Sequence, residues 1–314
     1  MVRARPGAAA LLIVAAWAIA AILVFEDESG DEGTEPRAGA ARAQTQALPP
    51  LRTPYGIRPA SGPAPLRIRL RQAPGAGLLF DVDSGRVLWQ LHPRRRLPIA
   101  SLTKLLTALV IAERHRRGER VRISPRALAY RGSGMGVLPA GGRVRVDSLM
   151  YGLLLVSGND AAIALAEHDA GTVAAFVSRM NRRAAQLGLT CSRFSSPSGI
   201  RDQGNHSCPL DLAALARADL ANPWIRQVAG MDRARFRFPI KGGFLDLFNN
   251  NPLIGEPGVT GLKTGLTDVA GRCYVITRRI SGHHLGVVLL DSPDPLRQVP
   301  RLLRAGARAL NARA

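Results

Sequence analysis

The feature that most limits what this chain can fold into is the order of its periodicities. Strand patterns lie toward both ends, and helical patterns fill the middle. Residues 77–83 and 86–90 are two apolar runs about a Ser-Gly turn, which predicts a β-hairpin. Helical spacing follows at 100–116, 146–156, 160–170, 173–187 and 209–221. Strand patterns return at 258–263, 272–278 and 285–290, and an Arg-rich helical tail begins near Leu296. Strands at the two ends must find partners. The pattern therefore predicts one α/β domain: an antiparallel sheet flanked by helices, plus a mostly helical subregion.

That domain is expected over residues 66–314. Before it, residues 8–25 are uninterruptedly apolar, with Arg3 and Arg5 ahead and five acidic residues between 26 and 32 behind. Positive before and acidic after predicts a cytoplasmic N-terminus and an exported remainder. The run is long for a signal-peptide core and long enough to span a bilayer, and no small-x-small site closes it. Residues 1–25 are therefore read as a membrane anchor in preference to a removed signal. The expectation is a single-pass membrane protein with an extracytoplasmic domain, or a secreted one if the segment is cleaved. Residues 26–65, rich in Pro, Ala and Arg, read as a flexible linker.

The net charge is +20, yet only three of the 43 basic residues are lysines: Lys104, Lys241 and Lys263. The arginines are scattered, with no zinc-finger spacing and no aromatic-basic motif. Nucleic acid is not expected as a partner; anionic wall polymers or lipid headgroups are. The histidines form no HExxH and no paired ligand spacing, and the cysteines no CxxC, so neither metal nor cofactor is expected. Cys191 and Cys208 bracket a Ser/Pro/Gly-rich loop. A disulfide and two free thiols are equally compatible with the sequence. Cys273 reads as core.

Three short motifs follow one another: Ser101-Leu102-Thr103-Lys104, Ser157-Gly158-Asn159 and Lys263-Thr264-Gly265. Each alone has an ordinary reading, as a helix cap with a surface lysine, an interhelical turn and a polar strand end. Lysine usage shifts the balance. Arginine cannot deprotonate in a protein, whereas a buried lysine can. This chain writes its surface charge as arginine, and two of its three lysines fall in the motifs. Positions i and i+3 share a helix face, so Lys104 lies beside Ser101. The apolar residues after it place it in a core, where the neutral amine is favoured and can act as a base. Lys263 and Thr264 suit a free carboxylate, and Gly265 lets a substrate backbone approach. Lys241, in Lys-Gly-Gly, reads as surface.

Together these motifs resemble the serine penicillin-binding fold, and most closely the low-molecular-mass D-alanyl-D-alanine carboxypeptidases. The flanking residues resemble it too: Pro98-Ile99-Ala100 before the first motif, Asp160-Ala161-Ala162 after the second, and Gly258-Val259-Thr260-Gly261-Leu262 before the third. The resemblance implies a β-lactamase/transpeptidase-like architecture and removal of terminal D-alanine from peptidoglycan stem peptides through an acyl-enzyme. It implies Ser101 as nucleophile, Lys104 as general base and Ser157 as proton relay. Asn159 would bind the substrate amide, and Lys263, Thr264 and Gly265 would line the carboxylate site. The N–H groups of Ser101 and Leu266 would form the oxyanion hole. Arg297 falls where the family can place a carboxylate-binding arginine. β-Lactams are expected to be covalent inhibitors. The segment 196–200 departs from the family's usual Asn-Pro-His-Gly-Leu, so this loop is expected to recognise different peptide features. Three alternatives stay open: a DD-endopeptidase, a β-lactamase, and a non-catalytic β-lactam-sensing or wall-binding protein.

Overall fold

The computed structural model describes residues 55–58, 66–200 and 203–312. The chain opens with β1 (Ala76–Asp81), β2 (Val87–Leu91) and a short β3 (Leu97–Pro98). A 3-10 turn (Ala100–Leu102) leads into α1 (Thr103–Arg114). The helical half contains β4 (Arg120–Arg122), α2 (Pro125–Leu128), β5 (Arg143–Arg145), α3 (Val146–Leu154), α4 (Asn159–Ala170) and α5 (Val173–Gln186). It continues through β6 (His206–Ser207), α6 (Pro209–Ala221), α7 (Pro223–Ala229), β7 (Arg233–Arg237) and β8 (Phe244–Phe248). The chain returns to the sheet with β9 (Val259–Thr267), β10 (Gly271–Ile280) and β11 (His283–Leu290), then covers it with α8 (Pro295–Asn311).

The sheet order is β2-β1-β11-β10-β9, and every pair is antiparallel. The first and last strands pair as the end-to-end pattern requires, with Ala76 opposite Leu290 and Asp81 opposite Leu285. Alternation sorts the side chains to two faces. Leu79, Ile276, Val287 and Leu289 pack under Val299, Leu302 and Leu303 of α8. Leu78, Phe80, Val275 and Val288 belong to the larger core, which contains α1 and the helical half.

Helix α1 is the centre of that core. Every residue from Thr103 to Ile111 is buried, as expected of a helix that is packed all round. Its start is less regular than a continuous helix from 100 to 116. The chain enters through the 3-10 turn, with Ala100 at φ 47°.

Cys191 and Cys208 form a disulfide, which settles the choice the sequence left open; Cys273 is buried. Tyr55–Arg58 differ from a free linker. The Arg58 N–H donates to Gly85 O at 2.9 Å, and Arg217 donates to Gly56 O at 2.6 Å. The expected anchor over 1–25 and the rest of the linker lie outside the described residues. Among the described residues no helix is long and apolar enough to cross a membrane.

Candidate active site

Three elements meet at the start of α1. The 3-10 turn carries Ser101, and one turn later Lys104 is wholly buried. Its Nζ donates to Ser101 Oγ at 2.9 Å, to Asn159 Oδ1 at 2.7 Å and to the Ser198 carbonyl at 2.7 Å. An ammonium has three N–H donors, and all three are used. Burial lowers the pKa of Lys104 well below the ordinary lysine value; the Lys263 charge adds to this and Asp160 opposes it. In the neutral form the amine lone pair becomes available, and the Ser101 hydroxyl becomes the donor to it.

The second wall is the turn into α4. Ser157 sits at φ 61°, and its buried Oγ has no hydrogen-bond partner among the described residues. Asn159 opens the helix and donates from Nδ2 to Arg131 O at 2.6 Å. Its neighbour Asp160 accepts the N–H groups of Met135 and Gly136, both at 3.0 Å. That carboxylate fastens the 131–136 loop over the turn and so fixes Asn159.

The third wall is β9, an edge strand. A Cβ on Gly265 would lie 2.9 Å from the Ser101 nitrogen, so glycine is what lets the strand pass against the nucleophile's backbone. Lys263 is buried and its Nζ donates to Thr264 O at 2.8 Å. Burial alone lowers its pKa to about 7. Thr264 reaches toward Asn250 Oδ1 at 3.5 Å, and Leu266 is exposed, at 67%.

Ser101, Lys104 and Asn159 are thus joined by direct hydrogen bonds. Lys263 acts on Lys104 through its charge, and Gly265 adjoins Ser101. Arg297 is placed differently from the rest. It lies in the first turn of α8, its side chain is 88% exposed, and it faces Asp294 at 3.6 Å. Among the described residues no hydrogen bond ties it to the cluster. Lys241 is exposed, as its context predicted.

The loop 196–200 is more than a surface for peptide. Ser198 O accepts from Lys104, and Pro197 O accepts from Thr107 at 2.7 Å. A Cβ on Gly199, at φ 78°, would meet Ala100 O at 1.9 Å. Below the nucleophile, Asn205 donates to Thr103 Oγ1 at 2.9 Å, and Thr103 donates to Ala100 O at 2.8 Å. Asn205, Thr103 and the Ser198 carbonyl were not found from the sequence. A carbonyl carries no side-chain signal, and Asn205 is remote from every motif.

A serine hydroxyl against a buried lysine, beside an antiparallel sheet and a helical lobe, is the Ser–Lys arrangement of the β-lactamase/transpeptidase-like fold. The chain belongs to the peptidase S11 family, D-alanyl-D-alanine carboxypeptidase, whose model matches residues 68–294. It is 35% identical over 226 residues to the D-alanyl-D-alanine carboxypeptidase DacF of Bacillus subtilis, covering 70% of this chain and 58% of that protein. It is 32% identical over 243 residues to a D-alanyl-D-alanine endopeptidase of Pseudomonas aeruginosa, covering 74% of this chain and 76% of that one. Among solved structures, a variant of the Streptomyces K15 DD-transpeptidase superposes with a TM-score of 0.70 at 28% identity, covering 76% of this chain and 99% of that one. The chain therefore spans well under two thirds of the Bacillus relative.

Proposed function

We propose that this protein is a serine D-alanyl-D-alanine carboxypeptidase, which removes the terminal D-alanine of peptidoglycan stem peptides. The observation that carries the reading is the 2.9 Å contact between the wholly buried Lys104 Nζ and the partly exposed Ser101 Oγ. Neutral Lys104 takes the hydroxyl proton as Ser101 Oγ bonds to the penultimate carbonyl carbon. The N–H groups of Ser101 and Leu266 hold the oxyanion. Collapse breaks the amide bond, and the departing D-alanine amine takes a proton relayed through Ser157. Water then attacks the ester carbonyl and gives a proton to Lys104; the acyl carbon–Oγ bond breaks, Lys104 returns the proton to Ser101 Oγ, and the shortened peptide leaves with a new carboxyl group. Asn159 orients the substrate amide, while Lys263 and Thr264 hold the terminal carboxylate in the groove beside Gly265. The cycle uses only groups of the chain and water.

The test is mass spectrometry after penicillin treatment, together with D-alanine release from a pentapeptide. The expected result is one covalent adduct and turnover in the wild type, and neither in Ser101→Ala. A wild type that takes no adduct would leave a non-catalytic wall-binding protein. Rapid nitrocefin turnover would make it a β-lactamase. The second reading is a DD-endopeptidase, supported by the Pseudomonas relative that carries that name and is matched over most of its length. Faster cleavage of cross-linked dimers than of pentapeptide would select it.

We also propose that residues 1–25 tether the enzyme to the membrane with its domain outside the cytoplasm. The apolar run and its flanking charges support this. Carbonate-resistant membrane fractionation of the full chain, and its loss when 1–25 are deleted, is the expected result.

A further inference from the structure

The far ends of α1 and α4 carry a cluster that the active site does not use. His115 closes α1, Glu119 follows in the loop to β4, and His168 lies in the last turn of α4. Glu119 Oε2 lies 2.8 Å from His115 Nδ1 and 3.3 Å from His168 Nε2, and the three atoms fall within 4.8 Å of one another. The other Glu119 oxygen is occupied by the Arg116 N–H at 2.6 Å.

The protonation pattern is the informative part. His115 Nε2 lies 3.0 Å from Asp169 Oδ1. A carboxylate only accepts, so the ring proton belongs on Nε2. That leaves the Nδ1 lone pair of a neutral ring pointing at a second carboxylate oxygen, Glu119 Oε2. His168 Nε2 converges on the same oxygen. Two lone pairs face each other at hydrogen-bond distance only when a cation, either a proton or a metal, lies between them. A carboxylate holding the far nitrogen of a histidine is also the usual support of a metal-binding imidazole. Asp169 is buried and is itself matched by Arg114 at 2.6 Å and by Arg179. Its charge is therefore committed, and the charge left to face an ion is that of Glu119.

We propose that His115 Nδ1, His168 Nε2 and a Glu119 carboxylate oxygen form a zinc site that clamps α1 to α4. Tetrahedral zinc with ligands at about 2.0–2.1 Å keeps ligand atoms about 3.3 Å apart, which matches the 3.3 Å separation of Glu119 and His168 and exceeds the 2.8 Å of Glu119 and His115 by about half an ångström, while the two imidazole nitrogens lie within 4.8 Å of each other. Two imidazoles and one carboxylate suit zinc better than magnesium or calcium, which take all-oxygen shells. The three side chains are partly exposed, at 14%, 36% and 24%, so an ion can enter and a water can complete the shell. The role is structural. His115 is eleven residues from Lys104, roughly 16 Å along the helix axis, and α4 likewise begins at Asn159 and ends beside His168. The site would tie together the rear of the two helices whose front ends meet through the Lys104–Asn159 hydrogen bond.

No ligand spacing marks the site along the chain, because His168 reaches the others only through the fold. The test uses the purified chain, stripped with chelator, re-supplied with zinc and dialysed. Expected are one zinc per chain by elemental analysis, a raised Tm with zinc but not with magnesium, and cobalt absorption of a tetrahedral site. His168→Ala and Glu119→Gln should weaken zinc retention at least tenfold while retaining the wild-type circular dichroism. Asp169→Asn should weaken it by about 10–100-fold. His283→Ala, at a partly exposed histidine paired with Asn311, should change nothing. Zinc that is not retained, or is retained equally by His168→Ala, overturns the proposal.

Discussion

Lys263 has one partner among the described residues, its neighbour's carbonyl, and burial brings its pKa to about 7. Its ammonium is therefore present below that pH in the free enzyme and is lost as pH rises through it. If the ammonium receives a substrate carboxylate, kcat/KM for a peptide with a free C-terminus should fall above about pH 7. It should not fall for the C-terminal amide. Lys263→Arg, which cannot deprotonate, should lower the plateau but remove the alkaline limb. An identical limb for acid and amide would assign it elsewhere. A second residue, Asp219 of α6, is wholly buried, and neither of its oxygens has a hydrogen-bond partner among the described residues. Burial, with the Glu113 charge adding to it, raises its pKa well above 3.8. A raised folded-state carboxyl favours folding most below the unfolded pKa and loses that contribution as pH rises through the folded value. Asp219→Asn should thus gain stability at pH 8 relative to pH 4, by about 1–3 kcal/mol, or roughly 2–4 °C of Tm per kcal/mol. Equal shifts at both pH values would contradict it. The two residues also differ in how far the sequence exposed them. Lys263 stood out because arginine carries nearly every other positive charge. Asp219 did not, because a lone Asp in a helical stretch is ordinary until packing closes over it.

At the scale of elements, the end strands and central helices were readable because each buries one face or stripe and so keeps its period. The β7–β8 ribbon was missed although Arg233–Arg237 alternates. Its apolar positions are short, and Arg235 and Arg237 stack on Phe244 at 5.3 and 5.4 Å instead of leaving a clean polar face. The 196–200 loop was seen only as a departure from a pattern. Its role in holding Lys104 follows from contacts between segments 94 residues apart. That loop lies inside the ring closed by the Cys191–Cys208 disulfide, a separation of 17 residues. Closing a ring of this size contributes about 3 kcal/mol by restricting the unfolded chain. The paired substitution Cys191→Ser with Cys208→Ser should lower stability by about that amount in denaturant melts. It should also slow acylation by a labelled penicillin, because Ser198 O loses its restraint. Full stability with unchanged acylation would show that the loop is held by Thr107 and Gly199 alone.

For the whole molecule, the pairing of β1 with β11 followed from strands at both ends of the chain, whereas the edge of the domain did not follow from composition. Tyr55–Arg58 look like linker, yet they are captured by Gly85 and Arg217 through backbone groups that no composition records. The charge of +20 is likewise a property of the whole chain, and it separates from the local field of the site. Scattered exposed arginines attract an anionic polymer over distances that salt screens, with a Debye length of about 10 Å at 0.1 M and about 3 Å at 1 M. Lys263 is buried, and a contact made there is screened far less. Retention on peptidoglycan sacculi should therefore drop steeply between 0.05 and 0.5 M salt, conditions that span roughly a threefold change in screening length. Acylation by a small β-lactam with one carboxylate should change by less than about twofold over the same range. Parallel salt slopes for the two would mean that the scattered arginines, and not the buried lysine, supply the attraction at the groove.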